Sequence, residues 1–104
     1  AAPAWTLDLL AWLILSPDGQ VVKLTHSEHT LLGALARAPG KTVPRNELIF
    51  ALGHDPLYYD QRRMEILVRR LRTKVRDQLG YPLPLETVHS QGLAFTAPVT
   101  LRGK

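Results

Sequence analysis

The chain has 104 residues, 45% of them hydrophobic, which is enough for one compact domain with a modest core. It contains no cysteine, so disulfides, thiolate metal sites and cysteine nucleophiles are excluded. The formal net charge of +4 is unevenly held: residues 1–60 carry four Lys or Arg against six Asp or Glu, and residues 61–104 carry nine against three, as expected of a face that meets a polyanion.

The first four residues, Ala1-Ala2-Pro3-Ala4, read as the end of an interdomain linker, leaving 5–104 as the domain. The longest apolar run, Leu9 to Leu15, is too short to span a bilayer, and no basic-then-apolar leader precedes a cleavage-like site. A cytoplasmic protein without a membrane partner is the expectation. Trp5 to Leu24 reads as short strands: Trp5 to Asp8 alternates, Ala11 to Leu15 is apolar, and Val21 to Leu24 follows the turn signal Pro17-Asp18-Gly19. These strands predict a small antiparallel sheet.

Thr25-His26-Ser27-Glu28 has the form of a capping box, in which the Thr25 hydroxyl and the Glu28 carboxylate satisfy two backbone donors at a helix start. The helix should run to about Arg37, with Leu31, Leu32, Leu35 and Ala38 at helical spacing and Pro39-Gly40 as the stop. Pro44 suits the first turn of a short second helix through Leu52, with Val43, Leu48, Ala51 and Leu52 inward, and Gly53 ends it. A loop follows from Gly53 to Tyr59. Asp60 is then a good N-cap for the longest helix, about 61–79, closed by Gly80 and Pro82. Leu85 to Val88 and Leu93 to Ala97 read as strands joined by His89-Ser90-Gln91-Gly92, a hairpin spanning 85–97. The order of strands, three helices and hairpin gives an α+β fold.

At about 100° per residue, Met64, Leu67, Val68, Leu71, Val75 and Leu79 gather on the stripe of the long helix that should face the core. Arg62, Ile66, Arg69, Arg70, Thr73 and Arg76 lie opposite, with Arg63 and Lys74 at the edge. Seven basic residues stand against only Glu65 and Asp77 in this helix. Most of the cations therefore lack a local partner, whereas a merely solvated helix mixes signs more evenly. An Arg fork can donate two hydrogen bonds to guanine O6 and N7, and an aliphatic group such as Ile66 suits a thymine methyl. Arg72 projects nearer the core margin and could serve an internal ion pair. The plainer reading of this face is a solvated basic surface with one stray apolar residue.

These residues, taken with their order and spacing, resemble the OmpR/PhoB family of response-regulator effector domains over nearly the whole chain. The residues that carry the resemblance are Leu24-Thr25 with Glu28 and Leu31-Leu32, Val43-Pro44-Arg45 with Glu47-Leu48, the helix Arg62 to Val75, and the hairpin Glu86 to Gly92. The resemblance implies a winged helix-turn-helix: a four-stranded N-terminal antiparallel β-sheet, a three-helix core and a C-terminal β-hairpin wing. It implies sequence-specific binding of double-stranded DNA, with the third helix in the major groove and the wing near the minor groove. Arg62, Arg63, Ile66, Arg69, Arg70 and Thr73 would face DNA, with Lys74 beside them. Thr87 would meet a phosphate, and His89 stands where the family commonly has a wing Arg. His54, Asp55, Leu57 and Tyr58 fall in the loop that the resemblance offers to RNA polymerase. It further implies a preceding receiver domain and phosphorylation-favoured dimers on direct repeats.

Several positions depart from the family pattern. Leu67 stands where a His is frequent, Ser90 replaces the first wing Gly, Leu93 replaces an aromatic, and Pro44 replaces a Ser cap. His89 is a weaker cation than Arg near neutral pH, so wing binding could depend on pH.

Other chemistry is weakly supported. His26 and His29 have a spacing that could hold a metal, but no third ligand completes a set, so they read as surface histidines. His54, Asp55 and Asp60 lack a nucleophile or phosphate-cradling loop beside them, and neither an enzyme nor a cofactor is expected. Trp5, Trp12 and Phe95 read as core or sheet-packing residues outside the basic region. Tyr58 and Tyr59 should point different ways, leaving a partner contact and plain packing both open. The competing functional class is a winged-helix module that binds an acidic protein partner.

Overall fold

A computed structural model describes residues 4–88 and 91–103. The elements in chain order are β1 (Trp5–Asp8), β2 (Leu13–Leu15), β3 (Val21–Lys23), α1 (His26–Ala36), β4 (Val43–Pro44), α2 (Arg45–Ala51), α3 (Gln61–Leu79), β5 (Leu85–Val88), β6 (Gly92–Phe95) and β7 (Val99–Arg102). Two sheets flank the helices, one in the order β3-β2-β1-β7 and one in the order β4-β6-β5.

The apolar run from Leu9 to Leu15 is not one strand. The Asp8 carboxylate accepts hydrogen bonds from the Leu10 and Ala11 backbone N–H groups at 3.0 and 2.9 Å, turning the chain before β2 starts at Leu13. β1, β2 and β3 then pair antiparallel, as the alternation and the Pro17-Asp18-Gly19 turn foretold. The sheet has four strands, but the fourth is the last in the chain: β7 lies parallel to β1, pairing Trp5 with Val99 and Asp8 with Arg102. The Arg102 guanidinium reinforces this pairing, 3.0 Å from the Asp8 carboxylate. The short strand β4, antiparallel to β6, was likewise not legible in the sequence.

α1 starts as its sequence requires, with the Thr25 hydroxyl accepting from the Glu28 N–H at 3.3 Å and the Glu28 carboxylate accepting from the Thr25 N–H at 2.8 Å. The helix then lies at the centre of the fold, touching β1, β7, β6, α2 and α3. Its Leu31, Leu32 and Leu35 are fully buried. In α2 the inward residues are Leu48 and Ile49, with Leu52 half-buried and Ala51 exposed. Ala51 is thus corrected to the solvent side, because a helix of under two turns can bury only one stripe. Trp5 sets its ring edge-on to both Tyr81 and Phe95, each at 6.2 Å, and so joins the first sheet to the hairpin side of the core.

Candidate nucleic-acid interface

The long helix α3 is held at both ends. The Asp60 carboxylate accepts from the Arg62 N–H at 2.9 Å, and Gly80 closes the helix in a left-handed conformation, φ 81°, that a side chain would strain. Met64, Val68, Leu71, Val75 and Leu79 are buried, while Leu67 is half-buried at the margin of the stripe. The opposite side is a single exposed face bearing Arg62, Arg63, Ile66, Arg69, Arg70 and Thr73. Ile66 is 39% exposed in the midst of these groups. The Arg63 guanidinium lies 5.0 Å from the Tyr59 ring centroid, which restrains it before any ligand arrives.

Lys74 is placed differently from the rest. Its ammonium lies 2.5 Å from the buried Glu28 carboxylate and donates to the Lys23 carbonyl at 3.2 Å. It therefore bolts α3 to the start of α1 and to β3. Arg72 also turns inward, donating to the Leu85 carbonyl at 2.6 Å and to the Thr87 hydroxyl at 3.2 Å. Its partners are neutral oxygens of the hairpin rather than the carboxylate of an ion pair. Thr87 is exposed on β5, and since its oxygen accepts from Arg72, its hydroxyl hydrogen is free to point outward.

Two hollows border the face. A cleft of about 460 Å³ brings Thr25 and Ser27 at the start of α1 beside Arg63, Ile66 and Arg70. A groove of about 560 Å³ separates α3 from the hairpin and brings Arg45 and Arg76 beside Arg69 and Thr87. Ser27 and Arg45 lie far from α3 in the sequence, and nothing in their local pattern marked them. Arg76 is exposed on the polar side of α3, as its spacing predicts.

The hairpin packs through Gly92, where a Cβ would overlap the Val43 carbonyl oxygen. His89 and Ser90 lie outside the described residues. In the loop before α3, Leu57 and Tyr58 are 85% and 87% exposed, and the Asp55 carboxylate fixes the turn by accepting from the Leu57 N–H at 2.9 Å. His54 is also exposed, its ring 5.1 Å from that of Tyr59, which is half-buried. The two tyrosines thus point different ways, and the outward one is Tyr58.

Trp5 and Phe95 are core residues, but Trp12 is 40% exposed and sits in the turn before β2 with φ 54°. There its ring stacks on His29 at 5.5 Å and meets His26 edge-on at 5.2 Å, packing on α1 rather than within a sheet. His26 is exposed and His29 half-buried. Among the described residues no group of three or more side chains could hold a metal, and no helix is long and apolar enough to cross a membrane.

The sequence matches, over residues 19–95, the family described as "Transcriptional regulatory protein, C terminal". It is 36% identical over 93 residues to the transcriptional regulatory protein AruR of Pseudomonas aeruginosa, a match covering 89% of this chain and 38% of AruR. It is 33% identical over 96 residues to the regulatory protein VirG of Agrobacterium fabrum, covering 91% of this chain and 38% of VirG. The chain thus spans less than two fifths of the length of these relatives. Among solved structures, the DNA-binding domain of Klebsiella pneumoniae RstA in complex with the RstA box is similar with a TM-score of 0.70 and 26% identity, covering 92% of this chain and 94% of that one. The DNA-binding domain of CpxR from E. coli is similar with a TM-score of 0.62 and 29% identity, covering 86% and 92%.

Proposed function

The chain belongs to the OmpR/PhoB-type family of C-terminal domains of transcriptional regulatory proteins, and from that premise we propose that its α3 reads double-stranded DNA in the major groove. The function is sequence-specific DNA binding in a transcriptional regulator. The observation that carries the mechanism is the single exposed face on which Arg63, Ile66, Arg70 and Thr73 stand together. Charge alone would bind any polyanion. An Arg fork and an aliphatic group side by side can tell guanine from adenine and thymine from cytosine.

Arg63 and Arg70 donate to base edges, Ile66 covers a thymine methyl, and Thr73 adds a hydroxyl that can donate or accept. Arg62 and Arg69, seven residues apart on one flank of α3, meet backbone phosphates. Thr87, its oxygen already accepting from Arg72, donates to a backbone phosphate from the hairpin. Lys74 stays engaged with Glu28 and positions the helix from within. The hairpin approaches the neighbouring minor groove as a wing, with His89 at its tip.

The whole protein is a response regulator in which a receiver domain governs pairing of two copies on direct repeats. It works in the cytoplasm and without catalytic activity of its own. His54, Asp55, Leu57 and Tyr58 then form a surface for RNA polymerase, supported by two large side chains left almost fully in solvent.

Selection from a randomised duplex pool, followed by fluorescence anisotropy at several salt concentrations, tests this reading. The expected result is one preferred sequence bound roughly 10³-fold or more above random duplex. Equal affinity for every duplex, or binding indifferent to salt, would overturn it, and salt-dependent capture of acidic proteins alone would point to a protein-binding module.

A further inference from the structure

The groove between α3 and the hairpin has an apolar floor that reading DNA does not use. Met64, Val68, Leu83, Leu85 and Leu93, all buried in the core, form its floor. Besides Arg72, already engaged with Leu85 and Thr87, its lining carries Arg45, Arg69 and Arg76, with Glu65 as the acidic member. None of these three arginines has a carboxylate partner among the described residues. At about 560 Å³ the hollow has the size of a small-molecule site, which typically spans about 300–1,000 Å³ and is mostly apolar with a few fixed polar groups. A phosphodiester backbone would satisfy the rim without filling the hollow above the apolar floor. The floor suits a hydrocarbon body, and the rim suits one anionic head.

We propose that this groove binds a small amphipathic organic anion, an aromatic or aliphatic carboxylate or phosphate monoester, with its body over Val68 and Leu93 and its head at the arginines. Leu93 lines the groove from β6. Arg69 and Thr87 sit on the same rim, so an anion held there occupies space that a DNA phosphate needs, and ligand and duplex compete. The ligand site stands on the groove alone. Only the competition rests on the DNA-binding reading.

Titration of the chain with 2-naphthoate, followed by amide and methyl NMR, tests both parts. Saturable shifts centred on Val68, Leu85 and Leu93 are expected, with binding weakened about tenfold for neutral 2-naphthamide. Leu93→Tyr should remove the binding while far-UV circular dichroism stays unchanged. Should that variant not fold, Arg76→Ala, which leaves the floor intact, should weaken naphthoate severalfold. Shifts that do not saturate, that centre on Leu57 and Tyr58, or that inorganic phosphate reproduces at equal concentration would overturn the ligand site. Saturating naphthoate should release a selected duplex from the wild-type chain, and an unchanged duplex affinity would overturn the competition. Naphthoate binding by a chain that prefers no duplex would sink the DNA reading and leave the ligand site standing.

Discussion

The Lys74 ammonium lies 2.5 Å from the Glu28 carboxylate, and the same carboxylate caps the first turn of α1. One side chain thus fixes both the start of the central helix and the angle at which α3 crosses it. Glu28 is 3% exposed, so removing Lys74 would leave a buried charge short of its partner.

Lys74→Ala should therefore cost about 2 kcal/mol of stability, the scale of a hydrogen bond to a charged group. Urea unfolding measures this, and DNA affinity per folded molecule should be unchanged. A variant of full stability with weakened DNA binding would return Lys74 to the DNA-contacting set.

On the exposed face the expectation is reversed. Arg70→Ala should leave unfolding within about 0.5 kcal/mol of wild type. It should weaken binding to the selected duplex by about 1–3 kcal/mol and relax the preference at one base pair. Arg69→Ala should weaken all duplexes alike and reduce the slope of log affinity against log salt by about 1. Equal behaviour of the two variants would remove the distinction between base and phosphate contacts.

Gly92→Ala should destabilise the domain by about 2 kcal/mol or more, since the added methyl group meets the Val43 backbone rather than a yielding side chain. Hydrogen exchange should show the loss first in β4 and β6. An alanine variant with wild-type unfolding would contradict the close approach of these strands.

Asp18 links the turn between β2 and β3 to the segment after α3. Its carboxylate accepts from the Ser16 hydroxyl, from the Tyr81 hydroxyl at 2.7 Å and from the Gln20 amide at 2.9 Å. These bonds, the Ser16 bond foremost, hold its pKa well below the ordinary 3.8. A lowered folded-state pKa contributes stability that is present above the unfolded value and lost as pH falls through the folded one. The Asp18 contribution to the melting temperature should be full and independent of pH near neutrality, and the melting temperature should fall below about pH 4. Asp18→Asn should flatten that acid limb, and an unaltered acid limb would refute the linkage.

Tyr58→Ala should change neither stability beyond about 0.5 kcal/mol nor duplex affinity, because the side chain is 87% exposed and off the basic face. In a reconstituted transcription assay with the full-length regulator it should reduce activation. Unchanged transcription would exclude this side chain from the polymerase contact.

Much of the frame was legible in the chain because its signals are local. Thr25 and Glu28 form a capping box within four residues, Asp60 and Gly80 bracket α3 as helix-end chemistry requires, and the apolar spacing of α3 fixed which side faces the core. The same spacing placed Arg62, Arg63, Ile66, Arg69, Arg70 and Thr73 together on the exposed side, while the functional class came with the family resemblance. Tertiary structure decided what depends on residues distant in sequence. Lys74 lies at the edge of the basic face by periodicity, yet a carboxylate 46 positions earlier takes it inward. Arg72 finds its partners only once β5 lies alongside α3. β7 has an unremarkable local pattern and becomes a sheet strand because β1 offers it a free edge. The groove beside the Arg-rich helix belongs to neither element alone, since its floor is assembled from α3, β5, β6 and the segment that joins the helix to the hairpin. Helical periodicity fixes the direction of a side chain, whereas its partner is fixed only by the long-range packing that brings a second element within reach.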